Sequence, residues 1–221
     1  MSDLKRSHPE PPAGPPRVQW KRGLADELMT ELAPLLAEDG IDVNDLEATD
    51  MQTLQAAMNR AVERRNMALF TPVGPAREIA AATLRLVVDA ILDDNTTLAA
   101  ALLEQVQPES PDNSTATVAS CIGLALGLLD SWMTGQAPDA PTSLATTTRL
   151  PKGHWTGERA ATDVLVLASK GRAFRSLQTL ITRQGSHQLL PGSALALAAA
   201  TLAWSSSKNT SPRDLTKQII E

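Results

Sequence analysis

The apolar run from Ser114 to Leu129 constrains the fold most strongly, because it contains no charged residue. It falls short of the roughly 20 apolar residues that a membrane-spanning helix needs. Its abundant Ala and Leu are strong helix formers, so the run predicts a buried helix from Ser114 to Met133. Gly123 and Gly127 lie four residues apart on this helix, and their small size predicts a close approach by another backbone.

Composition favours helices along the rest of the chain. Hydrophobic residues make up 43% of the 221 residues, as in an ordinary globular domain, whereas aromatic residues make up 3% and Tyr is absent. Ala and Leu favour helices, while aromatic residues favour strands. We therefore predict an all-α protein, an irregular helical bundle of about seven to eight helices.

Two helices are predicted in the N-terminal part. A leucine stripe predicts a first helix from Trp20 to Glu38, which Pro34 should bend or break and which Gly40 should end. Apolar residues at intervals of three and four predict an amphipathic helix over residues 51–70. Asp42 and Asp50 are predicted to be N-caps.

The segment from Pro75 to Leu92 carries apolar residues around most of its circumference, which predicts the central helix of the fold. One residue of Asp93–Asn95 should cap the next helix, over residues 96–107. Towards the C-terminus we predict helices over residues 158–169, 172–184, 193–204 and 212–220, with a turn at Ser186–Gly192 and a cap at Ser193.

These patterns divide the chain into five segments. They are a disordered Pro-rich tail (1–16), an N-terminal helical segment (17–72), a central helical unit (75–135), a linker or functional loop (136–157) and a basic C-terminal helical unit (158–221). A shift of 79 residues aligns Ala82 and Leu86 with Ala161 and Leu165. This alignment suggests an internal repeat, and hence two stacked three-helix units, although helices rich in Ala and Leu produce such matches by chance.

Charge is strongly segregated along the chain. Residues 24–58 contain nine acidic residues and no Lys or Arg, and residues 86–148 contain eight acidic residues and no Lys or Arg. Residues 149–221 contain ten Lys or Arg against four Asp or Glu, although the whole chain has a net charge of −5. The basic part could remain solvated, meet phosphate, a membrane surface or an acidic partner, or dock on the acidic part of the same chain or of a neighbour.

Two groups of residues are candidates for contact with an anion or a nucleic acid. One is a loop with cations beside an imidazole and an indole, namely Arg149, Lys152, His154 and Trp155. The other is the face of the helix over residues 172–184 that carries Arg172, Arg175 and Arg183. The plainer interpretations are that Trp155 anchors the loop to the core and that the arginines are solvated.

No motif indicates catalysis. The sequence contains no phosphate loop, dinucleotide fingerprint or Gly-x-Ser-x-Gly elbow, and nothing predicts a metal or another cofactor. The single cysteine, Cys121, lies in the apolar run, which predicts an inert buried thiol. The N-terminus lacks the apolar core of a secretory signal, so we predict a cytoplasmic protein that does not insert into a membrane.

The residues favour a non-enzymatic protein that interacts with a protein partner, or with itself, through its charge-polarised surfaces, as a regulatory or assembly protein does. One alternative is a nucleic-acid-associated regulator that uses the basic C-terminal helices, including a helix-turn-helix-like arrangement over residues 162–184. The other is an enzyme or a small-ligand binder with a site near His154.

Overall fold

A computed structural model describes residues 22–43, 50–108 and 115–220. These residues form ten α-helices and no strand, which confirms the predicted all-α bundle. The helices are α1 (Arg22–Glu38), α2 (Met51–Leu69), α3 (Gly74–Leu92), α4 (Thr96–Glu104), α5 (Val118–Met133), α6 (Leu144–Thr147), α7 (Glu158–Ala168), α8 (Leu177–Gln184), α9 (Ser186–Lys208) and α10 (Pro212–Ile219). The predicted tail and Ser114 lie outside the described residues.

The chain divides within α2 into two compact units, one extending to Val62 and the other beginning at Glu63. The first unit has a small core formed by Leu32, Leu36, Ile41, Ala57 and Ala61. Arg60 donates to the Asp39 carboxylate over 3.2 Å within this unit. The second unit contains helices α3 to α10 and the larger core.

The ends of the N-terminal helices follow local rules. Helix α1 runs through Pro34 without a break and stops at Glu38, two residues before Gly40, which has a φ of +76°. Asp50 accepts the Thr53 N–H over 3.0 Å, which confirms the cap, and this hydrogen bonding lowers the pKa of the Asp50 carboxyl. The helix start predicted at Asp42 runs into residues 44–49, which lie outside the described residues.

Helix α9 lies at the centre of the second unit, where it packs against α3, α5, α6, α7, α8 and α10. The turn predicted at Ser186–Gly192 is therefore wrong, and so is the cap at Ser193, because one helix includes Pro191 and continues to Lys208. Leu189 and Leu190 are buried in the segment predicted to be a turn. Burial of this segment offsets the backbone hydrogen bond that a proline removes.

Helix α3 buries only one face, so the prediction that it is the central helix is wrong. Leu84, Val87 and Val88 are buried, whereas the Leu86 side chain is 56% exposed. The charged side chain of Asp89 is partly solvated, and a charged group on a helix face favours contact with water.

The close backbone approach predicted for Gly123 and Gly127 of helix α5 is confirmed at Gly123 only. A Cβ added to Gly123 would lie 1.7 Å from the Phe70 carbonyl oxygen, so a backbone does approach closely there. Gly127 is exposed, with nothing within 4 Å of a Cβ at that position. Thr117 and Ser120 form a capping box at the start of α5, and buried Cys121 follows.

The segment over residues 136–157 is packed against the second unit rather than extended away from it. It contains the single-turn helix α6, whose Leu144 is fully buried and which contacts α9. The proposed internal repeat stays a prediction. The first three-helix unit would be α3 to α5, in which α4 and α5 both pack on its first helix, α3. The second would be α7 to α9, in which α7 and α8 both pack on its last helix, α9.

Helix α9 is the one described helix that is long and apolar enough to cross a membrane by length and composition. The helix is this long because it begins at Ser186 rather than at the predicted Ser193. In its most apolar window, 83% of the residues are buried inside the structure, and a core helix passes the same test.

Candidate functional site

The turn between α7 and α8 carries the first candidate site. Helix α7 ends at Ala168, and Gly171 follows with a φ of +62°, a conformation that favours glycine. A short 3-10 helix, Phe174–Ser176, then leads into α8. The helix predicted from Arg172 is therefore wrong in its first turns, because the chain folds back there before α8 begins.

Asp130 of helix α5 fixes the backbone of this turn. Its carboxylate accepts the Ala173 N–H over 2.8 Å and the Phe174 N–H over 3.0 Å. Such hydrogen bonds to a charged acceptor are stronger than those between neutral groups. Leu177 and Leu180 are buried on the adjoining turns of α8. The exposed side chains of the turn therefore project from a backbone that is held in place.

Three cations project from the turn, and we call Lys170, Arg172 and Arg175 the basic corner. All three are exposed and form no ion pair with any residue that the structure describes. The sequence contains no Asp or Glu between Asp163 and Asp214, so no acidic neighbour along the chain reduces this charge. The basic corner thus carries three positive charges, which the Asp130 carboxylate bound to its backbone offsets in part.

Arg183 does not share the environment of the other two predicted arginines. It pairs with Asp163 of helix α7 over 3.5 Å, and Gln184 donates to the same carboxylate over 2.6 Å. The predicted arginine face is therefore divided into two exposed cations without an ionic partner among the described residues and one cation with a partner on α7.

The predicted loop site is only partly formed. Arg149 donates to the carbonyl oxygens of Thr146 and Thr148 over 2.8 and 2.7 Å, which satisfies acceptors at the end of α6. Lys152 and His154 are exposed. Within the described residues, no hydrogen bond or ion pair joins this loop to the basic corner.

Trp155 is half-buried and packs against the core of the second unit. Its backbone N–H donates to the Glu158 carboxylate over 2.9 Å, and its ring lines a cavity of about 60 Å³ beside His154. Ligand pockets usually have volumes of about 300–1,000 Å³, so this cavity is too small for most substrates. The geometry therefore favours an anchoring role for Trp155 over a substrate site.

Other C-terminal cations dock on acidic residues of the same unit. Arg213 of α10 makes a two-pronged ion pair with Asp93 just after α3, and this hydrogen bonding raises the pKa of the guanidinium. Lys208 lies 3.6 Å from Asp139. Internal docking on the acidic part of the chain therefore applies to Arg213 and Lys208, whereas Arg183 pairs with Asp163 of the C-terminal part itself.

A larger cavity, of about 430 Å³, lies between α5, α9 and α10. Trp132 and Trp204 line it with ring centroids 5.6 Å apart in an edge-to-face arrangement, and the Lys208 ammonium lies 5.5 Å from the centre of the Trp204 ring. Sequence reasoning missed this cavity. Trp132 and Trp204 could have been a signal, because a shift of 72 residues, rather than 79, aligns them.

The described residues show little sign of catalytic chemistry. Burial raises the pKa of the Cys121 thiol to about 12, so this thiol is protonated and unreactive at neutral pH. Among the described residues, no group of three or more His, Cys, Asp or Glu side chains could hold a metal ion.

Comparisons with protein-family models, with curated proteins and with solved structures found no match to this chain.

Proposed function

We propose that this protein is a non-enzymatic helical interaction protein that binds an acidic protein surface through its basic corner. One observation supports the proposal above the others. Arg172 and Arg175 remain exposed without an ionic partner among the described residues, although the Asp130 carboxylate fixes the backbone that carries them. Because this backbone is already held in place, binding need not pay the entropic cost of ordering it.

A second copy of this chain is the first partner to consider. Residues 24–58 carry nine acidic residues and no Lys or Arg, which complements the charge of the corner. Charge complementarity of this kind raises association rates and selects partners, and salt screens it. Self-association through the corner should therefore weaken as salt rises.

Light scattering after size exclusion, at about 50 and 500 mM salt, tests this proposal. We expect a mass above that of the monomer, or a complex with an added acidic protein, at low salt only. The double variant Arg172→Glu/Arg175→Glu should abolish it. The matched control, Arg159→Glu/Lys217→Glu, reverses two exposed charges outside the corner and should leave it unchanged. If the two variants associated to the same extent, the basic corner would not be the binding surface.

A specific observation also favours nucleic acid as a second candidate partner. Helix α7, the turn at Gly171 and helix α8 follow one another, and exposed polar side chains, including Gln178 and Thr182, lie on α8 near Arg175. A recognition helix presents polar side chains of this kind to base edges. The short length of α8 and the net charge of −5 weigh against this function.

A gel shift with duplex DNA and with RNA over a salt series separates the two candidates. Phosphate contacts release counterions, so binding to nucleic acid should weaken steeply and linearly on a log–log plot. The absence of salt-sensitive binding would remove nucleic acid as a partner while leaving the proposed protein interaction to the light-scattering experiment.

A further inference from the structure

The cavity between α5, α9 and α10 has the composition of a small-ligand site. Its volume of about 430 Å³ lies in the lower half of the range for ligand pockets, which favours a small molecule. Its apolar lining consists mainly of the side chains Leu128, Trp132, Trp204, Leu215 and Ile219. The two tryptophans are almost fully buried, so little of either ring is open to a ligand, and the partly exposed Leu128 and Ile219 supply the accessible apolar wall.

Polar and charged residues make up five of the twelve residues that line the cavity. The amides of Gln136 and Gln218 and the hydroxyl of Ser131 line the cavity, and their side chains make no hydrogen bond to any residue that the structure describes. A few polar groups beside an apolar wall fix the orientation of a bound ligand. The arrangement suits a molecule with an apolar body and one polar end.

Lys208 determines the charge that this polar end should carry. Its ammonium lies over the Trp204 ring and 3.6 Å from the Asp139 carboxylate. The Asp139 side chain is 82% exposed, whereas that of Lys208 is 36% exposed. An ion pair this exposed contributes little to stability, so an incoming anion can replace Asp139 at little cost.

We propose that this cavity binds a small amphipathic carboxylate, with the apolar body against Leu128 and Ile219 and the carboxylate on Lys208. The cation is held inside the cavity by the indole, while the competing aspartate projects into water. A ligand ammonium would have to displace Lys208 from both Asp139 and the ring, so a cationic ligand is disfavoured.

Three probes with the same apolar chain test the charge preference, namely octanoate, 1-octanol and octylammonium. Isothermal titration calorimetry with the full chain gives the three affinities, at constant salt, below the micellar concentrations of octanoate and octylammonium and below the solubility limit of octanol. We expect octanoate to bind most tightly, by about tenfold over octanol, because a charge-assisted hydrogen bond adds to the shared apolar contact. Octylammonium should bind most weakly.

Two variants should shift octanoate affinity in opposite directions. Lys208→Gln removes the anion partner and should weaken binding about tenfold, whereas Asp139→Asn removes the competing anion and should strengthen it a few-fold. Asp139 has a φ of +61°, and Asn adopts that conformation readily, so the second variant keeps the backbone. Lys217→Gln removes an exposed lysine that does not line the cavity and serves as the matched control.

The outcomes are distinct. The site is supported if octanoate binds more tightly to Asp139→Asn and more weakly to Lys208→Gln, while its affinity for Lys217→Gln is unchanged. Equal affinity for octanoate and octanol, no measurable binding, or the same response in all three variants would overturn it, since attachment to the outer surface does not depend on Lys208. Circular dichroism of each variant verifies that the helices are intact.

Discussion

Helices α3 and α9 are both long and rich in apolar residues, yet they have different places in the fold. Helix α9 is buried along most of its length, and helix α3 is buried on one face only. The decisive difference is charge, since residues 188–207 of α9 contain no Asp, Glu, Lys or Arg, whereas α3 carries Arg85 and Asp89. A helix with no face that needs water can be surrounded by its neighbours.

The size of the side chains is the second difference between helices α3 and α9. Helix α9 contains many small residues, including Gly192, and a Cβ added there would lie 2.6 Å from the Ala160 Cβ and 2.8 Å from the Gly157 carbonyl oxygen. The start of helix α7 therefore approaches the backbone of α9 closely. Small residues at such a crossing allow tight packing and dense dispersion contacts.

Adding a charge to each helix tests the comparison most severely. Ala198→Asp places a carboxylate at a fully buried position of α9 and should reduce the free energy of unfolding by about 4 kcal/mol or more. Ala82→Asp changes an exposed position of α3 and should cost below about 1 kcal/mol, from helix propensity. Urea unfolding followed by circular dichroism measures both, and similar losses would contradict the central place of α9.

Shortening one leucine on each helix should have a smaller effect. Leu197→Ala leaves a cavity around a fully buried position of α9 and should cost about 2–5 kcal/mol. Leu86→Ala removes a side chain that is already more than half exposed, so we expect about 0.5 kcal/mol or less. Thermal unfolding of the two variants side by side measures the difference, and a larger loss at Leu86 would reverse the comparison.

The next largest effect on stability should come from adding a single methyl group where α7 and α9 cross. Gly192→Ala must displace Ala160 or the nearby backbone and should cost about 1–3 kcal/mol. Gly127→Ala, on α5, is the matched control because a Cβ there meets nothing within 4 Å, and it should stabilise the helix by about 0.5–1 kcal/mol. Chemical unfolding measures both variants. If both changed the free energy of unfolding in the same direction, the close crossing of α7 and α9 would be absent.

The smallest effect concerns Asp89, the partly solvated charge of α3. One of its carboxylate oxygens is buried without a hydrogen-bond partner among the described residues. Burial raises the pKa of this carboxyl above its ordinary value of 3.8, and the nearby Asp93 also raises it, while Arg213, Lys217 and Arg85 act in the opposite direction.

Because the unfolded chain loses this proton first, stability should fall as the pH rises from about 3.8 through the raised pKa. Asp89→Asn should therefore stabilise the protein at pH 7 by less than about 1 kcal/mol and have no advantage near pH 3. Urea midpoints across that pH range measure the difference, and an advantage that is largest in acid would contradict burial as the cause of the raised pKa.

Local patterns predicted much of the fold. Periodicity located α2, α3 and α10 closely, and the caps at Asp50 and Asn95 followed from side-chain chemistry. Prediction failed where tertiary packing decided the outcome. Pro191 and Gly192 are typical of a turn, yet the buried Leu189–Leu190 pair keeps this segment helical within the core.

The candidate sites were harder to predict, since they depend on residues far apart in the chain. The sequence identified Arg172 and Arg175, but the carboxylate that fixes their backbone belongs to Asp130, more than forty residues earlier. The cavity beside Trp132 and Trp204 likewise combines three helices and the turn after α5. No short motif records such a combination.

Helix α10 has a consequence for how fast the cavity can exchange its contents. It has only eight residues, too few for stability on its own, and a surface ion pair from Arg213 and few buried side chains hold it to the second unit. We expect its amide hydrogens to exchange through local unfolding well before those of α9. Because Leu215, Gln218 and Ile219 line the cavity, fraying of this last helix would widen the opening through which the cavity exchanges with solvent.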